Sequence, residues 1–590
     1  MSILVDKVRI DGFRGISNLE LSLPKTTVLI GMNNAGKTSI IKALQLSLGD
    51  YSRYLTDEDF HIDSNDRRTQ KIVIDIRIIP VNNSGVRKQI FDDVWLEEFE
   101  DKVQQEAAGN QFFAMRTIAS TDSIRGGFQI ERYSLDRWVD TNWLEEPTVN
   151  RNKIRNRIRS VPYVPIDAQR DLHNELKERS SFVGKVLSSV EYNDEDVKEL
   201  ETLVAEVNQQ AIDKSEPLST LKANLDSLSQ SFDGKGKAEL SPFPKKIRDL
   251  SKRFSIHFGE EGGSSYSMEY HGMGTRSWAS MLTVKAMIEL MARSHANEEE
   301  PFFPIVAAEE PEAHLHVNAQ RTLFQQLSEI NGQVIVSTHS PYLASMSDLA
   351  DLRGLYRTNG SITATQLIDG LDKEDINILR REVMRVRGDI LFSKALILFE
   401  GVSEEQLIPA MFENYFGYSP FTVGISCISV AGKNYKPFIK MACSFGIPVF
   451  IVSDNDGTTK DEVEAQIRKI KQETSLELTD DQFAISYLNE GHDIEAELVS
   501  LDMREEIDTA LVLAETRGAD IPGWVQAKTR EISSLTTSEV IEKMRGSKAS
   551  YAGFLSEVIS SNPNNKQPQK LIPEAVIIAF DKVKEWALND

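Results

Sequence analysis

A glycine-rich segment near the start of the chain has the residue types of a phosphate-binding loop. Gly31 is followed after four residues by Gly36, Lys37 and Thr38, between a short apolar strand and a segment with helical spacing. Such glycines let backbone N–H groups wrap phosphates, the lysine reaches the β- and γ-phosphates, and the threonine hydroxyl can ligate Mg²⁺. We therefore predict ATP as a cofactor, bound by Asn33, Asn34, Ala35, Gly36, Lys37, Thr38 and Ser39.

A pair of glutamates later in the chain suits the magnesium and water chemistry that such a loop requires. An apolar strand ends in Glu309 and Glu310. We expect Glu309, with Thr38, to hold Mg²⁺, and Glu310 to orient and deprotonate the attacking water. His339 follows another strand and is expected to contact the γ-phosphate, with a structural role as the alternative. Gly272–Ser277 has the small residues and hydroxyl of an ABC signature, which would complete the nucleotide site of a facing subunit.

Two further pairs of carboxylates stand at strand ends in the C-terminal part. They are Glu400 with Glu404 and Asp454 with Asp456, and we name these four residues the acidic cluster. Carboxylates that converge at the ends of parallel strands repel one another unless cations hold them. Each pair alone also fits a helix cap or an Asp-Gly turn, but both in order favour a site that binds cations.

The elements that must position these side chains form two β/α series. Apolar patterns predict helices at 34–48 and 278–291, and strands at 4–10, 27–30, 72–79, 255–258, 302–307, 333–337, 395–399, 425–430, 449–452 and 483–487. A basic stretch near 380–388 separates the two series, so we predict an ATPase domain over 1–388 and a second α/β domain over 389–590. Apolar residues at helical steps predict an all-helical insertion at 172–231.

Bulk composition limits the class of protein. A chain of 590 residues holds several domains. Its net charge of −23 opposes binding of nucleic acid by the whole surface, but leaves open a local basic groove or an acidic metal site. With only two cysteines, a disulfide scaffold and a cysteine-based zinc site are excluded. No apolar run approaches the roughly 18 residues of a membrane span, and the N-terminus lacks a signal pattern, so we expect a cytoplasmic protein with no membrane partner.

The first set of motifs resembles the RecF/Rad50/SMC branch of ABC ATPases. The opening strand followed by Arg14 is similar to that branch, which implies that Arg14 takes part in nucleotide binding. No Q-loop glutamine is evident, and 56–60 lies about where it would fall. The acidic cluster resembles the Toprim domain. Together with the segment 309–316, which reads EEPEAHLH, it resembles the OLD ("overcoming lysogenization defect") family, which includes the nuclease subunit of Gabija-type phage-defence systems.

This resemblance implies an α/β fold with an ABC-type (RecF/Rad50/SMC-like) ATPase domain, a helical dimerisation insertion, and a C-terminal Toprim domain. It implies an ATP-hydrolysing, metal-dependent DNA endonuclease in antiphage defence. In such a nuclease, two Mg²⁺ or Mn²⁺ ions held by the acidic cluster would activate water for phosphodiester cleavage. Glu495 would complete the metal shell, with Asp493 and Glu497 as weaker candidates. Lys548 lies where such nucleases place a basic catalytic residue, and would offset transition-state charge.

A different function class is the main alternative. The chain would then be an SMC- or RecF-like DNA-binding ATPase or sensor in repair, with Toprim as a docking module. The intact acidic cluster counts against this, because a docking module has no need of it. We expect DNA and a homo-oligomer, a dimer or higher, as partners. A UvrD-like helicase or a reverse transcriptase of a retron as partner, the trigger, and whether ATP licenses or restrains cutting are left open by the sequence.

Overall fold

A computed structural model describes most of the chain as two compact units, residues 1–157 with 333–590, and residues 158–332. The described residues are 2–51, 54–63, 65–82, 84–122, 126–148, 152–155, 157–167, 193–220, 222, 242, 257–258, 266–267, 270–358, 360–367, 371–384, 387–473, 478–519, 521–562 and 564–588.

Strands and α-helices alternate over residues 395–500, whereas other parts of the chain have several strands or several helices in succession. The strands are β1 (Ser2–Phe13), β2 (Ile16–Ser22), β3 (Thr26–Gly31), β4 (Lys71–Val81), β5 (Gln104–Gln105), β6 (Gln111–Thr121), β7 (Phe128–Ser134), β8 (Tyr163–Ile166), β9 (His257–Phe258), β10 (Tyr266–Ser267), β11 (Ile305–Glu309), β12 (Gln333–Ser337), β13 (Leu352–Thr358), β14 (Ser361–Gln366), β15 (Ala395–Phe399), β16 (Ile425–Ser429), β17 (Val449–Ser453) and β18 (Phe483–Tyr487). The α-helices are α1 (Lys37–Leu48), α2 (Asp93–Phe99), α3 (Asp194–Asp213), α4 (Met273–Asn297), α5 (Val317–Ser328), α6 (Pro341–Ala344), α7 (Lys373–Leu379), α8 (Val402–Phe416), α9 (Lys436–Ser444), α10 (Thr459–Glu473), α11 (Ile494–Ser500), α12 (Arg504–Thr516), α13 (Pro522–Ser533), α14 (Thr537–Gly546), α15 (Lys548–Ser561) and α16 (Glu574–Leu588).

The first unit begins with an antiparallel sheet in the order β2-β1-β4-β6-β5, with β7 paired to β6. Asp75 on β4 lies opposite Arg116 on β6, and both side chains are buried. Two guanidinium nitrogens of Arg116 donate to the Asp75 carboxylate, each at 2.8 Å. A buried charge is costly unless paired in this two-pronged way, so the sheet tolerates an ion pair in its interior.

A second sheet of this unit carries the phosphate-binding loop. Strand β3 pairs in parallel with β12 and β13, and β14 completes a hairpin with β13. All residues of β12 are buried, as expected for a parallel strand covered on both faces. The side-chain amide of Gln333 on β12 donates to the Val5 carbonyl at 2.8 Å, while its oxygen accepts from the Val5 N–H at 3.0 Å. These bonds fix β12 against the first strand of the chain.

A third, fully parallel sheet in the order β16-β15-β17-β18 carries the acidic cluster. All residues of β15 and β17 are buried. Helix α16 packs against β15, β17 and β18, while α8 and α12 pack against α15. The resulting core holds the strands in register, so the loops after β15 and β17 meet at one edge of the sheet.

The second unit contains the parallel pair β8 and β11, and the helices α3, α4 and α5. The indole N–H of Trp278 on α4 donates to Gln326 on α5 at 2.9 Å. A Cβ atom on Gly274, in the first turn of α4, would lie 2.4 Å from the carbonyl oxygen of His314. A larger residue there would clash with backbone, so the start of α4 depends on glycine for this close approach.

The predicted elements are found with small changes at their ends. The predicted strands 333–337, 395–399 and 483–487 have the bounds of β12, β15 and β18, and α3 makes part of the predicted insertion helical. The rest of that insertion, including Leu225 and Leu228, lies mostly outside the described residues. Of the predicted strand 255–258, the first two residues lie outside the described residues and the last two form β9. The α/β fold class is confirmed, whereas the boundary near 388 stays a prediction. No helix within the described ranges has the length and apolarity needed to cross a membrane.

Candidate active site

The acidic cluster lies at the C-terminal edge of the third sheet. Glu400 directly follows β15, and Gly401 caps the start of α8. The Gly401 N–H donates to Glu404 at 3.3 Å, which turns this buried carboxylate back toward the strand end. The two glutamates thus occupy one turn, as their spacing predicts.

The second half of the cluster follows β17, which pairs in parallel with β15. Between its two aspartates, the Asn455 N–H donates to the His492 carbonyl at 2.9 Å, and the Asn455 side chain donates to the Leu488 carbonyl at 3.0 Å. The Thr459 hydroxyl donates to Asp456 at 2.5 Å. These bonds hold the loop in a fixed conformation, with Asp454 and Asp456 on the same sheet edge as the glutamates.

The electrostatics of this edge disfavour four negative charges. Burial, followed by the charges of Glu404 and Glu400, raises the pKa of Asp454 to about 9. Burial raises the pKa of Glu400 to about 7 against the opposing effect of Lys433, and burial with nearby Glu495 raises the pKa of Glu404 to about 7. A bound divalent cation would reverse these shifts, because it favours ionised carboxylates.

The carboxylates of the acidic cluster are suitable ligands for such a cation, although their oxygens do not converge on a single position in this structure. One carboxylate oxygen of Glu400 is buried with no hydrogen-bond partner within the described part of the chain. Across the same residues, no group of three or more His, Cys, Asp or Glu side chains is placed to hold a metal ion. Carboxylate oxygens are the ligands that Mg²⁺ prefers. Loading the site would therefore require side-chain rotations within the cluster.

Helix α11 brings a further predicted residue beside the cluster. Glu495 is fully buried, and one of its oxygens accepts from the Ser403 hydroxyl and the Tyr551 hydroxyl, both at 2.9 Å. The Lys548 ammonium lies 3.6 Å from the other oxygen. The structure thus brings Lys548 and Glu495 together. The same two segments are joined a second time by Arg545, which donates to Asp493 across 52 positions of sequence.

The other two acidic side chains of this segment make different contacts. Asp493 caps α11 and accepts from Arg545 at 2.7 Å. Burial acts to raise the pKa of Asp493, but the Arg545 guanidinium outweighs it and the pKa is lowered. Glu497 instead accepts from the Asn489 side chain at 2.8 Å and pairs with His492 at 2.7 Å. Glu497 therefore supports the loop before α11.

Several polar residues of this edge were missed by the sequence analysis. Tyr435 is fully buried, and burial with the charges of Glu400 and Asp454 raises its pKa well above the usual value. Ser403 and Tyr551 contact Glu495, as described above. Tyr435 lies in the loop after β16, which ends at the same sheet edge as β15 and β17. That position was the one sequence feature that could have indicated Tyr435 as part of the site.

The phosphate-binding loop connects β3 to α1, as predicted. Gly36 has a φ of 94°, a conformation that favours glycine, and it precedes the first residue of α1. The Lys37 ammonium is buried and donates to the carbonyls of Gly31 at 2.8 Å and Met32 at 2.9 Å. Of the other predicted contacts, Ala35 is buried and Ser39 half-buried, whereas Asn33, Asn34 and Thr38 are exposed. Three polar residues of the loop thus face solvent.

Arg14 and His339 occupy the same unit as this loop. The Arg14 guanidinium donates to buried Asp59 and to the Tyr51 hydroxyl, each at 2.8 Å. Asp59 belongs to the segment 56–60, where a Q-loop was sought, so the structure ties that segment to Arg14. The Thr338 N–H donates to the Leu29 carbonyl on β3 at 3.1 Å, which continues the strand pairing up to His339.

The two glutamates predicted for ATP hydrolysis, Glu309 as a magnesium ligand and Glu310 as the catalytic residue, lie in the second unit. Glu309 is the last residue of β11, and Glu310 follows in a left-handed conformation with a φ of 42°. Both side chains are half-buried. Burial and the charge of Glu309 raise the pKa of Tyr163 on the neighbouring strand well above its usual value. A strand end that presents two carboxylates agrees with the sequence prediction.

Comparison with known proteins yields matches across most of the chain. Residues 4–344 match the family described as "AAA ATPase domain", and residues 391–456 match "Overcoming lysogenization defect protein-like, TOPRIM domain". The chain is 22% identical to the "Old nuclease" of Escherichia phage P2, with 77% of this chain and 78% of that protein covered. It is 24% identical to the "OLD nuclease" of Thermus scotoductus, over 80% and 85%. It is 20% identical to "Endonuclease GajA" of Bacillus cereus, over 76% and 73%.

Proposed function

Since the chain belongs to the AAA ATPase domain family and carries an OLD-like TOPRIM domain, we propose that it is an ATP-hydrolysing, metal-dependent DNA endonuclease. The expected resemblance to OLD nucleases is confirmed. The observation that carries the proposal is the acidic cluster, whose carboxylates share one sheet edge, where burial raises the pKa values of Glu400, Glu404 and Asp454. Such an arrangement is costly in a docking module and useful in a metal site.

The acidic cluster is proposed to hold Mg²⁺ or Mn²⁺, which would supply an activated water and stabilise the leaving oxygen of a phosphodiester. Glu495 can offer the carboxylate oxygen that has no hydrogen-bond partner among the described residues. Its other oxygen stays bound to Ser403 and Tyr551, which would orient it. Lys548, beside Glu495, is proposed to offset charge on the scissile phosphate.

The ATPase half is proposed to bind Mg²⁺–ATP through the loop 33–39, with Arg14 as an additional contact. Support comes from the strand–loop–helix arrangement and from the buried Lys37 ammonium. Glu309, with Thr38, is proposed to complete the magnesium shell, Glu310 to orient the attacking water, and His339 to contact the γ-phosphate.

We propose that the protein works as a homo-oligomer on DNA in defence against phage. The exposed apolar side chains Leu203 and Val207 on α3 support an interface in the insertion, since such exposure is unfavourable on an isolated arm. The defence role rests on the resemblance to Gabija-type nucleases. A UvrD-like helicase and a retron reverse transcriptase are the partner classes to test.

Incubation of supercoiled plasmid with the full chain and Mg²⁺ or Mn²⁺, with and without ATP, tests the proposal. We expect metal-dependent nicking or linearisation by the wild type and none by Asp454→Ala, while both hydrolyse ATP. Asp461→Ala, an exposed aspartate on α10, is the matched control and should cleave normally. Asp454→Ala protein that nicks plasmid as fast as the wild type would exclude the acidic cluster as the nuclease site.

A further inference from the structure

The loop after β16 is fastened to the acidic cluster by its backbone. The Gly432 N–H donates to the carbonyl of Glu400 at 2.9 Å, and the Ser429 hydroxyl donates to the same carbonyl at 3.0 Å. Both bonds are made to the first acidic residue after β15. The loop therefore has a fixed position relative to Glu400, and so has the side chain that follows Gly432, which is Lys433.

A single side chain on α10 fixes the rest of this loop. The Gln466 amide nitrogen donates to the Lys433 carbonyl at 2.7 Å. Its oxygen accepts from the Tyr435 N–H at 3.1 Å and the Lys436 N–H at 3.2 Å. One carboxamide thus satisfies three backbone groups, which restricts the conformation of the loop at Lys433.

The Lys433 ammonium is directed to the second half of the cluster. It donates to the Thr459 hydroxyl at 2.5 Å, and this hydroxyl donates to Asp456 at 2.5 Å. Thr459 is fully buried, whereas Lys433 and Asp456 are half-buried. Lys433 is also the strongest influence that lowers the pKa of Glu400. Among the described residues, no carboxylate forms a direct ion pair with Lys433. Its ammonium reaches Asp456 through the Thr459 hydroxyl and acts on Glu400 through space.

We propose that Lys433 is a resident cation of the candidate nuclease site, held by Thr459 where its charge offsets the acidic cluster and competes with an incoming metal ion. The inference deepens the proposed nuclease function and assigns Lys433 as a positioning residue. The Lys433 ammonium and a metal ion bound to the acidic cluster are both positive and repel each other. The repulsion is twice as large for a divalent ion as for a monovalent one. Removal of the ammonium should therefore strengthen metal binding, whereas damage to the site would weaken it.

Mn²⁺ binding to the full chain, free of nucleotide and DNA, tests this by isothermal titration calorimetry. We expect Lys433→Met to lower the dissociation constant by on the order of tenfold, and Lys433→Arg, which keeps the charge, to stay near the wild type. Lys469→Met removes an equal charge farther along α10 and should have no effect. Asp454→Ala is the control for the origin of the heat signal. Loss of the Mn²⁺-binding signal in this variant assigns the binding to the acidic cluster.

Lys433→Met protein that binds Mn²⁺ with unchanged or weaker affinity overturns the proposal. Lys433→Gln is the second variant, and the same tightening is expected because it also lacks the charge. Circular dichroism spectra that match the wild type establish that the variants are folded. These measurements contain no DNA, so a plasmid that stays intact would refute the proposed nuclease function without affecting this result.

Discussion

Replacement of Asp454 by asparagine removes one ionisable group from the acidic cluster with little change in side-chain size. The pKa of Asp454 is raised from 3.8 to about 9 by burial and by neighbouring carboxylates. As pH increases, the unfolded chain ionises this group near its ordinary pKa, whereas the folded protein keeps the proton until about pH 9. The folded state therefore binds more protons between these values, and the free energy of unfolding of metal-free protein decreases as pH rises.

The size of this effect follows from the two pKa values. At about 1.4 kcal/mol per pH unit, the interval from 3.8 to pH 7 corresponds to about 4 kcal/mol. Glu400 and Glu404 also have raised pKa values, so part of the free-energy cost of burying ionisable groups at this edge remains in Asp454→Asn. We expect Asp454→Asn to stabilise the metal-free site by about 2 to 4 kcal/mol at pH 7, and by about 1 to 2 kcal/mol at pH 5.

Hydrogen–deuterium exchange in the presence of a chelator measures this locally, in peptides that span β15 and β17. At pH 7, Asp454→Asn should slow exchange by roughly 30- to 1,000-fold relative to the wild type at the same pH. Asp461→Asn on the exposed side of α10 is the control. Exchange that is unchanged or faster in Asp454→Asn, or a gain equally large at pH 5, would refute the electrostatic reasoning. Excess Mg²⁺ should shrink the difference by stabilising the wild type.

Three further outcomes test other parts of the molecule. Lys37→Ala should abolish ATP binding in a fluorescent-nucleotide assay, whereas Glu310→Gln should bind ATP and lose turnover; normal hydrolysis by Glu310→Gln would contradict the assigned role. Lys548→Ala should reduce the rate of plasmid cleavage by roughly 100- to 1,000-fold, and an unchanged rate would remove Lys548 from the catalytic set. Deletion of 172–231 should lower the oligomer mass measured by light scattering, and a folded deletion of wild-type mass would disprove the proposed interface.

Several strands with parallel neighbours, such as β12 and β15, could be predicted because they are short, continuous apolar runs, whereas β8 and β13 were not predicted. The five residues of β15 are all buried, and so are those of β12. By contrast, β6 was missed, since Arg116 and Thr117 interrupt its apolar pattern although both are buried. Their burial depends on Asp75, on another strand, and on the Ser47 hydroxyl. A pattern along one segment carries no information about such partners.

The acidic cluster could be predicted because each pair follows its own strand directly. Its surroundings could not, because they come from distant helices. Ser403 and Tyr551 approach Glu495 from α8 and α15, and their sequence separation from Glu495 conceals the contact. Lys433 and Tyr435 sit in a loop whose placement depends on the side chain of Gln466. A residue that is positioned by one hydrogen-bonded side chain has no periodic signal.

The connection between the two ends of the first unit has a consequence during synthesis on the ribosome. Strand β3 pairs only with β12 and β13 inside this unit, and Val5 is bonded to Gln333, 328 positions later. At roughly 5 to 20 residues per second, translation between these two residues lasts roughly 15 to 65 s. During that interval the nascent chain carries an apolar strand without the neighbours it has in this unit. Translation that stops before residue 333 would leave that strand exposed, which makes truncated chains candidates for chaperone capture and proteolysis.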